Sequence, residues 1–169
     1  MLSKSWYRAL EEVQKLANDS TPVEIVEDKI NKKGIYCDPW EKKVYIGTEI
    51  ADSEFYGMQI YVLAHELSHI KEGLVARILQ LYFPILKKKY EKKANTFAKK
   101  ILLKKYGLPT ALEIYKNIIY EFYIKDINDS KKKFDKSLEK RGFNPEIFNF
   151  YQYLQLLPLE NEFDEKKLR

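Results

Sequence analysis

The sequence predicts an α+β fold: a small antiparallel sheet packed on a helix pair, followed by an all-helical C-terminal lobe. Three observations lead there. Short β-branched and aromatic runs cluster between residues 23 and 47. Apolar residues recur at helical spacing on both sides of that cluster. Beyond Gly107-Leu108-Pro109 only helical periodicity remains. A chain of 169 residues suits one domain with a sizeable core. The expected division is a core over 1–107 and a helical extension over 108–169 packed on it.

Trp6, Leu10, Val13 and Ala17 mark the buried stripe of a helix over 3–18. Asn18 to Pro22 read as a loop. Strands are expected at 23–28, 34–37 and 43–47, with turns at Lys32-Lys33-Gly34 and Asp38-Pro39-Trp40 between them. The third strand carries Val44, Tyr45 and Ile46 and ends just before the next helix. At a sheet edge those three would bind an extended peptide by strand addition; the alternative role is sheet stability alone. Asp52 or Ser53 caps the following helix. Its core face is Ile60, Leu63, Leu67, Ile70 and Leu74, and Gly73 is its stop signal.

The apolar run 74–86 reads as a core helix broken at Pro84, with a lid or a partner-binding patch as the alternatives. Residues 87–105 hold nine lysines and one acidic residue. Here Glu91, Ala94, Asn95, Ala98, Ile101 and Leu102 share one helical face, and Lys92, Lys93, Lys99, Lys100 and Lys104 share the other. Further helices are expected at about 110–125, 130–141 and 146–157, with a frayed tail from Glu160 to Arg169.

The formal net charge is +5, so an acidic partner or nucleic acid comes into view. The lysine face serves equally as a solvated surface, and no base-reading motif or zinc finger is present. Direct nucleic-acid binding is therefore not the first expectation. The lone cysteine, Cys37, excludes an intrachain disulfide and fits a reducing compartment. No secretory signal is seen, and no apolar run reaches the roughly 18 residues of a spanning helix. The expectation is a cytoplasmic protein without a membrane partner.

The chemistry concentrates at His65-Glu66-Leu67-Ser68-His69, which holds both histidines of the chain. A spacing of four arises by chance about once in ninety placements, and the glutamate makes it rarer. On a helix such histidines share a face about 6 Å apart along the axis, close enough to grip one metal ion. Glu66 is rotated about 100° from His65, so it addresses a water beside the metal rather than the metal. Zinc lowers the pKa of bound water to about 7, and a nearby carboxylate takes the proton during attack on a carbonyl. A catalytic zinc needs a third protein ligand. Glu72 lies on the histidine side, but about 10 Å of rise separates it from His65, too far for one ion. Glu91, alone at the start of an inward face followed by small residues, is the candidate. Asn95, one turn further on, is placed to orient a ligand from behind.

His65-Glu66-Leu67-Ser68-His69 followed by Glu91-Lys92-Lys93-Ala94-Asn95-Thr96-Phe97-Ala98 resembles the ImmA/IrrE metallopeptidases, over about residues 20–103. Ser68 stands where that family usually has glycine, and its usual Met-Pro after the second motif is absent. The resemblance implies Zn2+ held by His65, His69 and Glu91, with Glu66 as the catalytic base. It implies a hydrolase: a zinc metalloendopeptidase acting as an anti-repressor on a helix-turn-helix transcriptional repressor of a phage or mobile element, or on a toxin–antitoxin partner. The competing expectation is a non-catalytic protein in which zinc only staples two helices. A third is a basic DNA-associated regulator, whose binding would fall steeply with salt.

Overall fold

The computed structural model describes residues 2–32, 34–119, 139–140 and 163–164. The order is α1 (Lys4–Ala17), β1 (Glu24–Asp28), β2 (Ile35–Asp38), β3 (Lys43–Gly47), α2 (Thr48–Ala51), α3 (Tyr56–Tyr82) and α4 (Pro84–Tyr106). Residues 108–119 are helical as well. The class is α+β, as expected. The helices expected at 130–141 and 146–157, and most of the C-terminal tail, lie outside the described residues.

α1 buries Trp6, Ala9, Leu10 and Val13, a spacing of three and four that keeps one stripe on the core. It stops at Asn18, whose left-handed backbone (φ 50°) an asparagine tolerates better than most residues. The Trp6 indole N–H donates to the Ala51 carbonyl at 2.9 Å. This buried bond ties α1 to the one-turn α2, an element with too little periodicity to be legible beforehand.

The three strands lie where expected, but their arrangement differs. The sheet order is β1-β3-β2, and β1 runs parallel to β3 while β2 runs antiparallel. The sheet is mixed, not antiparallel. β3 is the most apolar of the three, with Val44 and Ile46 fully buried, and it takes the central slot. β1 and β2 carry Glu24, Glu27 and the exposed Tyr36 on the outside. The loop joining β1 to β2 crosses the end of β3. Gly47 N–H donates to Gly34 O at 2.8 Å, and Glu49 N–H to Lys32 O at 2.9 Å. A Cβ at Gly47 would lie 2.4 Å from the Lys32 carbonyl oxygen, so only glycine fits beneath this crossing.

One core joins sheet and helices: Ile25, Val44 and Ile46 from the strands, Ile60, Leu63 and Leu67 from α3, and Ala98 and Leu102 from α4. Ala111, Ile114 and Ile118 join the same cluster, so residues 108–119 pack on the core. α3 begins later than expected. Its N-cap is Phe55 without a side-chain bond, and Ser53 Oγ accepts only from the Phe55 N–H. Gly73 does interrupt α3, with φ 77° and ψ −179°, but helix resumes beyond it. Pro84 opens α4 at its first turn, where a missing N–H costs nothing. Along 75–85 the reading as a core helix fails at the described positions. Ala76 is buried, yet Val75, Ile78, Leu79, Phe83 and Ile85 are exposed.

Candidate metal centre

Two helices build the site. α3 carries the two histidines on successive turns before its kink at Gly73, and α4 brings Glu91 against them. Their approach is close because Ala94 and Ala98 of α4 are completely buried and add no bulk between the backbones. The expected ligand set converges: one nitrogen from each of His65 and His69 and one oxygen of Glu91 lie within 4.8 Å of one another.

The ring orientations are specific. His65 Nδ1 lies 2.9 Å from Asn95 Oδ1, and the Tyr61 hydroxyl donates to the same oxygen at 3.0 Å. An amide oxygen only accepts, so His65 Nδ1 must carry the proton. Its Nε2 then presents a lone pair, and that atom lies 3.4 Å from Glu91 Oε2. His69 mirrors this. Its Nδ1 faces the Glu72 carboxylate, with Oε2 at 3.7 Å, and its Nε2 faces Glu91 Oε1 at 3.7 Å. The two Nε2 atoms lie 3.1 Å apart.

These separations answer whether the residues fit a metal. Bonds of about 2.0–2.1 Å from one centre place tetrahedral ligands about 3.3 Å apart. The two Nε2 atoms, 3.1 Å apart, and His65 Nε2 with Glu91 Oε2, 3.4 Å apart, lie near that value; His69 Nε2 faces the other carboxylate oxygen, Oε1, at 3.7 Å, and with one donor atom from each residue the triad lies within 4.8 Å. Two imidazoles and a carboxylate are also a donor set suited to zinc. Two facing nitrogen lone pairs repel unless a cation or a proton lies between them. Burial pulls the His69 pKa down, but Glu91, Glu66 and Glu72 outweigh it, and the value is raised above its ordinary 6.5. Hydrogen bonding to His65 and His69 holds the Glu91 carboxyl well below the usual carboxylate range, against the effect of its burial. The cluster therefore favours positive charge at its centre. The Glu91 side chain is 39% exposed against 7% for His69, so the site opens to solvent on the α4 side.

Glu66 is buried at 8% exposure and close enough to act on the charge of His69. No hydrogen bond joins it to another described residue, so its oxygens remain uncommitted. Asn95 stands where the sequence placed it, behind a ligand. Val44, Tyr45 and Ile46 do not. They lie in the central strand, hydrogen-bonded on both sides, with Val44 and Ile46 facing the core. Tyr45 stacks on Tyr36 at 4.9 Å. An extended peptide cannot add to this central strand; among the described residues the outer strands of the sheet are β1 and β2. Tyr61 escaped the sequence reading, and Glu72 was weighed there only as a ligand. Tyr61, one turn before His65, completes the Asn95 network, and Glu72 backs His69. Both sit at helical spacing from a histidine, the signal that was available.

Comparison with protein-family models, curated proteins and solved structures finds no match.

Proposed function

We propose that the chain is a zinc-dependent endopeptidase of the ImmA/IrrE kind, acting on a specific regulatory protein. One observation carries the reading. Two histidines, each with its Nδ1 against an acceptor, turn both Nε2 atoms toward each other and the Glu91 carboxylate, while Glu66, buried and in no hydrogen bond with another described residue, acts on the charge of His69. When bound, zinc supplies an acidified water and a polarised carbonyl. The protein's own part is then defined. His65, His69 and Glu91 hold the ion, and Asn95 fixes the His65 ring. Glu66 accepts the proton of the attacking water and returns it to the departing amine. A site that only staples helices needs no such base and would seek a fourth ligand. Among the described residues the triad is the one His/Cys/Asp/Glu group so arranged, and Cys37 lies in β2.

The test mixes purified protein with the regulator encoded beside its gene. Wild type and Glu66→Gln are compared with and without chelator, and fragments are mapped by mass. Expected are one or a few cuts in a linker or helix end, lost with chelator and reduced about 10²-fold or more in the variant. Stable binding by both forms without any cut would replace the peptidase by a zinc-stapled binding protein. Cutting that survives both treatments would identify a contaminant.

A further inference from the structure

Glu72 is a poor choice for stability alone. Its side chain is 6% exposed, and neither carboxylate oxygen accepts a hydrogen bond. It stands in the last turn before the Gly73 break, where the helix end disfavours negative charge. A buried carboxylate whose oxygens accept no hydrogen bond weakens a fold unless nearby cations compensate it. Two cationic or protic groups face it. Lys93 Nζ lies 3.1 Å from Oε1, and His69 Nδ1 lies 3.7 Å from Oε2. His69 Nδ1 is itself sealed from solvent without a hydrogen bond. Thus a buried acceptor and a buried donor face each other, under about 1 Å short of a hydrogen bond.

We infer that Glu72 is a positioning residue for the metal centre: its carboxylate holds the His69 ring with Nδ1 protonated and Nε2 aimed at the ion, while Lys93 balances its charge. The inference rests on the metal reading above and extends it to a residue too far from His65 to be a ligand. It also makes the two histidines unequal. His65 is backed by a neutral amide that Tyr61 steadies, whereas His69 is backed by a full negative charge. A carboxylate behind an imidazole raises its basicity as a ligand and restricts its rotation.

The test uses full-length wild type, Glu72→Gln and Glu72→Met. Zinc affinity is measured by competition with a chromophoric chelator, the ligand field by the visible absorption of the cobalt(II) form, and folding by thermal unfolding of the metal-free proteins. Zinc affinity should fall about 10-fold in Glu72→Gln and up to about 100-fold in Glu72→Met. The cobalt bands should shift, and the metal-free variants should melt no lower than wild type. Glu72→Gln keeps the side-chain shape and carries the test should Glu72→Met fail to fold. Zinc affinity within about twofold of wild type in Glu72→Gln overturns the inference and leaves the metal centre standing. A lower melting temperature with unchanged affinity and spectrum makes Glu72 a structural residue only. A wild type that takes up no zinc overturns both the inference and the metal reading.

Discussion

At the scale of single residues, the proposed function sets protons and metal in competition for the same nitrogens. The raised pKa of His69 means that its protonated form is stabilised in the metal-free fold. That contribution is fully present below its ordinary 6.5 and is lost as pH rises through the raised value. Zinc binding runs the other way, because the ligand must be neutral. The zinc-induced rise in melting temperature should therefore widen steadily from pH 6 to about pH 8. Scanning fluorimetry with and without zinc across that range checks it; a constant gap would mean that zinc and protons do not compete at these rings. Replacing Glu91 with alanine should weaken zinc binding by more than about 100-fold, since it removes one of the three proposed ligands. Equilibrium dialysis measures this, and an unchanged affinity would exclude Glu91 from the ligand set. Tyr61→Phe should be mild, about 0.5–1.5 kcal/mol in stability, because Asn95 still accepts from His65.

Among elements, the α3–α4 pair does most to shape the centre. Ala98→Leu forces a large side chain into a fully buried contact and should destabilise the protein by about 1–3 kcal/mol. It should also lower zinc affinity, since Glu91 rides on the displaced helix. The Gly73 kink acts from the other side. A Cβ there meets nothing within 4 Å, so the objection to alanine is backbone strain alone. With φ at 77°, Gly73→Ala should cost about 1–3 kcal/mol, read from denaturant midpoints. A stability equal to wild type would show that the chain reaches Glu72 and the rest of α3 without that conformation. The buried faces of α1, α3 and α4 were legible because apolar periodicity reports burial directly. The cap of α3 was not, because Asp52 and Ser53 are good caps that a one-turn helix and its exit displace. Glu72 was legible as a neighbour of His69 at i+3, but no pattern in the sequence tells that a carboxylate is buried.

Across the whole molecule, the class and the convergence of His65, His69 and Glu91 followed from the sequence, while the sheet order did not. Strand positions depend on local composition. Strand partners depend on which loop crosses which strand end, a matter of backbone clearance at residues such as Gly47. That is why Val44, Tyr45 and Ile46 moved from an expected edge to the centre. Long-range ties hold the parts together in the same non-local way. Glu12 on α1 accepts from the Tyr56 hydroxyl at 2.8 Å and pairs with Lys105 of α4. Its burial raises its pKa, but hydrogen bonds from Lys105 and Tyr56 prevail and lower it below 4.5. A lowered carboxyl contributes stability above its ordinary value and loses it as pH falls through the folded one. Glu12→Gln should thus cost up to about 1 kcal/mol at neutral pH, the pair being partly exposed, and flatten the acid limb below about pH 4.5. Acid titration of both proteins by circular dichroism would show it; parallel acid limbs would leave Glu12 without a part in acid stability.

The central place of β3 also bears on how the protein is made. Synthesis runs from the N-terminus, so β1 and β2 leave the ribosome before their shared partner exists. Each waits with an open edge until residues 43–47 follow. The histidine helix α3 follows the one-turn α2, with eight residues between the end of the strand and its own start. During translation the sheet and the histidine helix therefore become possible almost together, and a nascent chain stalled before Lys43 lacks the central strand that joins β1 to β2.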